Sequence, residues 1–487
     1  MKEVFLNNWD KSIIIDAHNN KTYSYCDFVR EIIRFNVKLN SIGLNKNDKV
    51  VLILTNSINM AVLIFASWVK GLVVITVDPS KGDSEISEVL NGITYDLLVS
   101  DIDKYNGLDN FIDISEFSNF VNGKSTSCGS IEAGVFEQID YESLALITFT
   151  SGTSGVSKGV MHSINNLIMA AVSFNDYFKF DNRNIFLHNL PMSYMAGILN
   201  LMIVPLIAGS QIVVVDRFSV SNVNKFWDDV IKYSVNTFWF TPTILSMLLK
   251  LDRGTIGSDY TRKHQIIGCV GTAPLNQQTK QRFEQKYGIP LFESYGLSET
   301  LFVSTNHPDI TDKETTGVGE LLYGVELDFH KDGEILIDVP WCFLGYTNEQ
   351  GEAKSCNISI FSSGDYGELD SKGRLWITGR KKDLIIRGGI NISPKRIEDL
   401  ITESGIFDEF AIVGNEDAIL GEKIVCVYVK RDEFYSENAR KDLARKVVNE
   451  LGKDYTIDQY TELKNIPKNT NGKIDKKAIR ELLSSEK

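Results

Sequence analysis

The chain has 487 residues, 43% of them apolar and 24% charged, so it is neither disordered nor fibrous and is too long for one ordinary core. Its 64 acidic residues outnumber the 51 basic ones and no basic run occurs, which disfavours a nucleic-acid partner. The six cysteines form no C-x-x-C pair, which favours reduced thiols over a disulfide framework or a zinc site.

Short β-rich runs alternate with helical patterns along much of the chain. The predicted strands are 50–54, 73–77, 97–100, 144–149, 185–187, 212–215 and 238–240. This alternation predicts an α/β fold in which helices cover the sheets. Residues 104–140 are rich in Asn, Ser, Gly and Asp, so we predict loops and short edge elements there.

Two apolar stretches, 60–77 and 201–215, are long enough to be compared with membrane spans. Lys70 interrupts the first and Gln211 the second, so each is better predicted as a buried helix followed by a buried strand. The N-terminus lacks the basic start and long apolar core of a signal peptide. We therefore expect a cytoplasmic protein without a membrane span.

The segment 150–159 reads Thr-Ser-Gly-Thr-Ser-Gly-Val-Ser-Lys-Gly and follows an apolar predicted strand. Its glycines and hydroxyls can wrap backbone N–H groups around phosphate oxygens, with the Lys158 ammonium beside them. It is not a Walker A motif, because Lys158 precedes Gly159 and not a Ser or Thr that could hold magnesium. A flexible Ser/Gly surface linker is the alternative interpretation.

Three further motifs follow this loop in order. They are Glu-Ser-Tyr-Gly-Leu-Ser-Glu-Thr at 293–300, Ser-Gly-Asp at 363–365 with Gly-Arg-Lys-Lys-Asp at 379–383, and Pro-Lys-Asn-Thr-Asn-Gly-Lys at 467–473. Together with 150–159 they resemble the adenylate-forming (AMP-binding) superfamily, which includes acyl-CoA synthetases, luciferase-like enzymes and peptide-synthetase adenylation domains. The resemblance extends over nearly the whole chain.

The resemblance implies two domains. A large N-terminal AMP-binding domain of parallel-rich sheets layered with helices is expected over residues 1–381, and a small mobile α+β lid over 382–487. The joint is expected at 380–383, after a predicted strand at 373–377. The lid ends in a predicted helix at 474–483.

The chemistry implied is attack of a carboxylate on the α-phosphate of ATP, which yields pyrophosphate and an acyl-adenylate. The residues implied to bind ATP are Thr150, Ser151, Gly152, Thr153, Ser154, Gly155 and Lys158 at the phosphates, Gly271, Thr272, Ala273, Pro274, Glu293, Ser294, Tyr295 and Gly296 around the adenine, and Asp365 and Arg380 at the ribose. One departure is Ser157, which stands where the family usually has proline.

Three residues are implied to be catalytic. Glu299 would bind Mg²⁺, which needs only one or two protein carboxylates when phosphates supply other oxygens. Ser298 beside it could donate to the α-phosphate, and Lys473 resembles the mobile lysine whose ammonium bridges the substrate carboxylate and that phosphate. By composition alone Glu299 and Lys473 would be surface charges and Ser298 a helix cap.

A second half-reaction transfers the acyl group to a thiol. Lys382 matches the family's hinge, and Gly388 and Gly389 fit the loop that lines a pantetheine tunnel, although a simple two-glycine turn is the alternative. We favour coenzyme A as the acceptor because the chain has no fused carrier domain. The phosphopantetheine of an acyl carrier protein stays open as the other acceptor.

The acid itself is the least determined part. The candidate pocket residues are Asn189, Tyr194, Gly197, Trp239 and Phe240. Asn189 cannot supply the carboxylate that amino-acid-activating relatives place near this point, so we expect a small-molecule carboxylic acid, of a chain length left open, without an α-ammonium group. An aryl acid whose ring hydroxyl meets Asn189 is one option, but Asn189 as a strand-end residue and the aromatics as core residues are equally open.

Two other classes of protein would share part of this pattern. A luciferase-like oxygenase would share the motifs, but the family's paired histidines around Ser193 and Tyr194 are missing. A non-catalytic nucleotide-binding protein would not need Lys473 and Glu299 together.

Overall fold

The structure is a computed structural model that describes residues 1–105, 107–108, 110–118, 134–150, 158–307, 317–347, 353–355, 360–431, 434–468 and 474–485. In these ranges the strands are β1 (Ser12–Asp16), β2 (Lys21–Ser24), β3 (Lys49–Ile53), β4 (Val73–Thr76), β5 (Leu97–Ser100), β6 (Phe111–Asp113), β7 (Leu144–Thr150), β8 (Lys158–Ser163), β9 (Ile185–His188), β10 (Gln211–Val214), β11 (Thr237–Phe240), β12 (Ile267–Val270), β13 (Leu291–Leu297), β14 (Leu301–Thr305), β15 (Glu320–Leu321), β16 (Glu326–Phe329), β17 (Glu334–Asp338), β18 (Gly345–Thr347), β19 (Ala353–Ser355), β20 (Phe361–Leu369), β21 (Leu375–Arg380), β22 (Ile385–Arg387), β23 (Ile390–Ile392), β24 (Phe407–Asp417), β25 (Gly421–Lys430) and β26 (Gln459–Glu462).

Helices connect and cover these strands. In the described ranges they are α1 (Lys2–Asn7), α2 (Tyr25–Ile42), α3 (Ile58–Lys70), α4 (Asp83–Asn91), α5 (Ser115–Ser118), α6 (Ile164–Phe178), α7 (Val204–Ala208), α8 (Phe226–Lys232), α9 (Pro242–Leu251), α10 (Ile256–Thr261), α11 (Gln277–Tyr287), α12 (Pro394–Ser404), α13 (Glu437–Leu451) and α14 (Lys476–Ser485). A π-helix at Ala196–Ile203 leads directly into α7. The strand and helix order confirms the predicted α/β fold.

Two large sheets make up most of the N-terminal part. The nine-stranded sheet has the order β15-β14-β13-β12-β11-β9-β10-β1-β2 and the eight-stranded sheet the order β19-β18-β8-β7-β4-β3-β5-β6. Neighbouring strands from β13 to β1 and from β7 to β6 are parallel. The remaining neighbours, which involve β2, β14, β15, β8, β18 and β19, pair antiparallel. A four-stranded antiparallel sheet, β16-β17-β20-β21, follows them.

The continuous apolar runs of the sequence arise because the eight-stranded sheet is buried on both faces. Along β3, Val50 and Leu52 belong to the large core that also contains α2 and α3. Val51 and Ile53 point the other way, into a second cluster that includes residues of α4. A strand covered on one side only would instead have alternated apolar and polar residues.

The C-terminal part has its own core. Its sheet has the order β23-β22-β25-β24, with β26 pairing to β25. Ile412 and Ile424 pack on the face that carries α12 and α13, and Val413 and Val425 pack against α14. Among the described residues, the buried clusters of this part begin at Ile385 and include no residue of the large core.

The predicted strands are confirmed, with ends that differ by a residue or so. The stretches 60–77 and 201–215 each form a helical segment and then a strand, as predicted. Among the helices that the structure describes, none has the length and apolar character that crossing a bilayer requires. Strand β21 runs on to Arg380, so this residue lies inside a strand that was expected to end before it.

Candidate active site

The carboxyl ends of four neighbouring parallel strands carry most of the candidate residues. Strands β9, β11, β12 and β13 lie side by side in the nine-stranded sheet. Asn189 follows β9, Phe240 ends β11, Gly271 follows β12 and Gly296 lies near the end of β13. Parallel strands present their carboxyl ends at one edge, which is where open α/β sheets bind ligands.

The turn between β13 and β14 holds Ser298 and Glu299. Its backbone is fixed on both sides, since His162 Nε2 donates to the Ser298 carbonyl at 2.7 Å and the Phe343 N–H donates to the Glu299 carbonyl at 2.8 Å. The Tyr346 hydroxyl donates to Glu299 Oε1 at 2.7 Å. The Glu299 carboxylate is therefore held in one direction, as a ligand to a cation must be.

Gly296 allows this turn to form. A Cβ at Gly296 would lie 1.7 Å from the Leu301 carbonyl oxygen, so no other residue fits without moving the backbone. Leu301 itself has φ of 53° and Thr272, in the loop after β12, has φ of 72°. Positive φ in residues with a Cβ costs on the order of 1–3 kcal/mol and is concentrated at functional sites.

Tyr295, Asp365 and Arg380 form one connected group. The Tyr295 hydroxyl donates to Asp365 Oδ2 at 2.9 Å, and Arg380 Nε lies 2.8 Å from Asp365 Oδ1. The pairing of β20 with β21 brings Asp365 and Arg380 directly opposite each other. Burial raises the pKa of Asp365, and Arg380 opposes that rise. Burial, followed by the nearby Asp365 charge, raises the pKa of Tyr295 well above its usual value.

Glu293 and Ser294 are engaged inside the protein. Lys280 Nζ of α11 lies 2.9 Å from Glu293 Oε1, and both side chains are largely buried. Burial raises the pKa of Glu293, while Lys280 opposes the rise. The Ser294 hydroxyl shares a 2.8 Å hydrogen bond with Thr305 Oγ1. These contacts fix the Glu293 and Ser294 side chains inside the protein on either side of β13's course toward Tyr295.

The loop after β9 is tied to both large sheets. His188 Nε2 donates to the Gly197 carbonyl at 3.0 Å, and Asn56 Nδ2 donates to the Leu190 carbonyl at 2.7 Å. Burial lowers the pKa of His188 to about 4, so it is neutral. A Cβ at Gly197 would lie 2.1 Å from the Pro191 carbonyl oxygen, so the close approach here requires glycine. Asn189 is 4% exposed.

Trp239 and Phe240 point to opposite faces of β11. The Trp239 ring packs against Phe174 and Phe302, whereas Phe240 is fully buried against Phe283 of α11. The expectation that both aromatics line one cavity is therefore not met. A Cβ at Gly271 would lie 3.6 Å from Trp239 Nε1, so Trp239 lies beneath the Gly271 backbone.

Tyr194 lies close to charged residues of the site. Burial raises the pKa of its hydroxyl, Arg380 opposes this and Glu299 adds to it. The partly buried Tyr194 side chain is therefore within electrostatic range of both Arg380 and Glu299.

The segment 150–159, which is predicted to hold the phosphates, is only partly described. Thr150 ends β7 and pairs in register with Lys158, the first residue of β8. Lys158 is exposed, and its Nζ lies 5.4 Å from the ring centre of Tyr346, which in turn contacts Glu299. Ser151, Gly152, Thr153, Ser154 and Gly155 lie outside the described residues, as does Lys473.

The predicted hinge residue Lys382 and the glycine pair Gly388-Gly389 lie at the surface. Lys382 is exposed in the short 3₁₀ turn Lys381–Asp383. Gly388 and Gly389 join β22 to β23 with φ of 57° and 82°, a two-residue turn in which both positions need positive φ. Both glycines are exposed in this structure, with nothing within 4 Å of an added Cβ. In this structure the two glycines form a surface turn, and their role as a tunnel lining stays a prediction.

Four residues that hold the candidate site in place were not predicted from the sequence. Asn56 holds the loop after β9, and His162 holds the Ser298 peptide. Lys280 holds the Glu293 side chain, and Tyr346 holds the Glu299 side chain. Of these, Tyr346 carries a signal in the sequence, because Gly345-Tyr346 also fits the pattern of the adenylate-forming superfamily. The others have no motif of their own, and Asn56 and His162 lie 134 and 136 residues away from the residues they hold.

Comparison with known proteins identifies the family. Residues 3–347 match the model of the AMP-binding enzyme family and residues 396–473 match that of the AMP-binding enzyme C-terminal domain. The chain belongs to the AMP-binding enzyme family.

Individual relatives are similar over nearly their full lengths. A 2-succinylbenzoate–CoA ligase of Listeria innocua is 27% identical over 447 residues, which is 91% of each chain. A malonate–CoA ligase of Arabidopsis thaliana is 25% identical over 491 residues, covering 92% of this chain and 80% of its own. Among solved structures, ATP-bound MatB of Rhodopseudomonas palustris has a TM-score of 0.84 at 24% identity and covers 100% of this chain and 99% of its own.

Proposed function

We propose that this protein is an AMP-forming acid–thiol ligase that converts a carboxylic acid to an acyl-adenylate and then to its coenzyme A thioester. The observation that carries the proposal is the connected Tyr295–Asp365–Arg380 group together with an oriented Glu299 carboxylate, in a chain of the AMP-binding enzyme family. The two relatives that match over most of their own length are named as coenzyme A ligases, which supports coenzyme A as the acceptor.

In the first half-reaction, the Asp365 carboxylate would accept hydrogen bonds from the ribose hydroxyls while Arg380 donates to the same sugar. Tyr295 would stack on the adenine next to the backbone of Gly271–Pro274. Lys158 and the hydroxyls of 150–155 would hold the β- and γ-phosphates.

Glu299 fits a magnesium site. Its Oε1 is oriented by Tyr346, and no group of three or more His, Cys, Asp or Glu gathers for a metal among the described residues. A cation that already has phosphate oxygens needs no such group. Bound there, Mg²⁺ would neutralise the charge that develops on the phosphates. Ser298 would donate to the α-phosphate, and Lys473 would bring the substrate carboxylate to it.

We propose that residues 382–487 act as a lid that turns about Lys382. The separate buried core that begins at Ile385 supports this division, and so does the second family match at 396–473. In the second half-reaction the exposed Gly388-Gly389 turn would approach the site and let the thiol pass close to the backbone. A cytoplasmic location belongs to the same proposal, because Cys26, Cys269, Cys342 and Cys426 are free thiols.

The test is ATP–pyrophosphate exchange across a panel of acids. The panel contains acetate, medium-chain, long-chain, hydroxy and aryl acids, with 2-succinylbenzoate and malonate added. Exchange that depends on one class of acid supports an adenylating ligase, whereas ATP binding without exchange for any acid would overturn the proposal. With the best acid, coenzyme A and a phosphopantetheinylated carrier protein are then offered side by side to identify the acceptor.

A further inference from the structure

His162 is fully buried, yet one of its two ring nitrogens has no hydrogen-bond partner among the described residues. It lies on β8, is 0% exposed, and donates its single described side-chain hydrogen bond from Nε2 to the Ser298 carbonyl at 2.7 Å. A carbonyl can only accept, so the proton is on Nε2 and Nδ1 carries a lone pair. Among the described residues, nothing donates to that buried Nδ1.

A buried nitrogen without a partner is costly, and an apolar side chain of similar size would avoid the cost. Packing alone therefore does not account for a histidine at position 162. What the imidazole adds is one directed N–H at the peptide that precedes Glu299.

The neighbours of His162 strengthen this interpretation. Residues 158, 160 and 162 share one face of β8, and Tyr346 on β18 pairs directly with Val160. The same face therefore presents Lys158, Tyr346 and His162. Tyr346 holds the carboxylate of Glu299, and His162 holds the peptide in front of it.

We propose that His162 is a positioning residue that fixes the Ser298–Glu299 peptide so that the Glu299 carboxylate faces the metal and the Ser298 hydroxyl faces the α-phosphate. The proposal rests on the proposed function of Glu299 as magnesium ligand. Residues that orient metal ligands in this way typically change metal affinity about tenfold to a hundredfold when they are removed.

The test compares three variants of His162. His162→Leu removes the N–H and keeps an apolar filling, and His162→Gln keeps an N–H with the reach of Nε2. His162→Asn is polar but too short to reach the Ser298 carbonyl, so it serves as the matched control for His162→Gln should the leucine variant fail to fold.

The readout is the Mg²⁺ concentration that half-saturates ATP binding, measured by calorimetry, together with the thermal midpoint of each variant. We expect His162→Leu and His162→Asn to need about tenfold more Mg²⁺ while their midpoints move by a few degrees at most. His162→Gln should recover most of the loss. ATP binding does not depend on the acid, so this readout stands even if no acid supports pyrophosphate exchange.

A double substitution separates positioning from general packing. In the Glu299→Gln background the oriented group is no longer a carboxylate, so adding His162→Leu should weaken ATP binding less than twofold further at a fixed Mg²⁺ concentration. An equal loss from His162→Leu in both backgrounds, or a glutamine variant as weak as the asparagine variant, would overturn the assignment and leave His162 as a packing residue.

Discussion

The Asp365–Arg380 ion pair is unequal in exposure, and this makes its two partners respond differently to substitution. The Asp365 side chain is 3% exposed and the Arg380 side chain is 42% exposed. Arg380→Ala leaves a buried carboxylate without its cation, which we expect to cost about 3 kcal/mol, the low end for such a break because water reaches Arg380. Asp365→Asn leaves an arginine that water can hydrate, and we expect about 1 kcal/mol or less.

The difference in stability loss between Arg380→Ala and Asp365→Asn should depend on pH. Burial raises the pKa of Asp365 and Arg380 opposes it, so Arg380→Ala leaves that pKa higher still. A carboxyl whose pKa is raised in the folded state binds its proton more readily there, so stability is lost as pH rises through that pKa. The destabilisation by Arg380→Ala should therefore be largest at neutral and higher pH and should shrink as the pH falls.

Urea unfolding of wild type and both variants at about pH 7.5 and about pH 5 measures this. Both variants should also raise the KM for ATP in pyrophosphate exchange at least tenfold, a loss of about 1.4 kcal/mol. Arg374→Ala is the matched control, since it breaks another Arg–Asp pair on the same hairpin and should leave the KM for ATP unchanged. The reasoning from burial is wrong if Asp365→Asn destabilises the protein as much as Arg380→Ala does. It is also wrong if the difference in unfolding free energy between the two variants does not change with pH.

Four further predictions can be checked on the same enzyme. Acids without an α-ammonium group should exceed α-amino acids of similar size by at least tenfold in kcat/KM, about 1.4 kcal/mol, and an amino acid as best substrate would contradict this. Glu299→Gln should raise the free-energy barrier to adenylation by on the order of 3 kcal/mol and alter its Mg²⁺ dependence, whereas Tyr346→Phe should raise it by about 1 kcal/mol. Normal turnover by the Glu299→Gln variant would show that another residue is the metal ligand. Lys473→Ala should abolish adenylation but spare thioester formation from supplied acyl-adenylate, and Lys382→Pro should do the reverse; equal single-turnover losses in both halves would exclude a hinged lid. Gly296→Ala should destabilise the fold by more than about 3 kcal/mol in urea unfolding, because the new Cβ would strike backbone at 1.7 Å, and a loss below about 1 kcal/mol would show that the turn can move.

Local pattern was sufficient for the layered fold. Strands buried on both faces leave continuous apolar runs, and the run at 50–54 became β3 almost unchanged. The motif that contains Glu299 was equally readable, because a short segment that must form a tight turn has its residues next to each other in the chain. The sequence by itself therefore determined the family resemblance and the fold class, and it identified the segments that are proposed to carry the chemistry.

Only the tertiary structure decided which side chains meet. Nothing local states that Asp365 pairs in register with Arg380, that His162 reaches the Ser298 carbonyl, or that Trp239 and Phe240 face apart. Strand register and the face of each residue are set by the packing of whole sheets, because a shift of one residue would reverse every side chain. Contacts between residues far apart in sequence follow from that packing and leave no periodicity or motif in either segment.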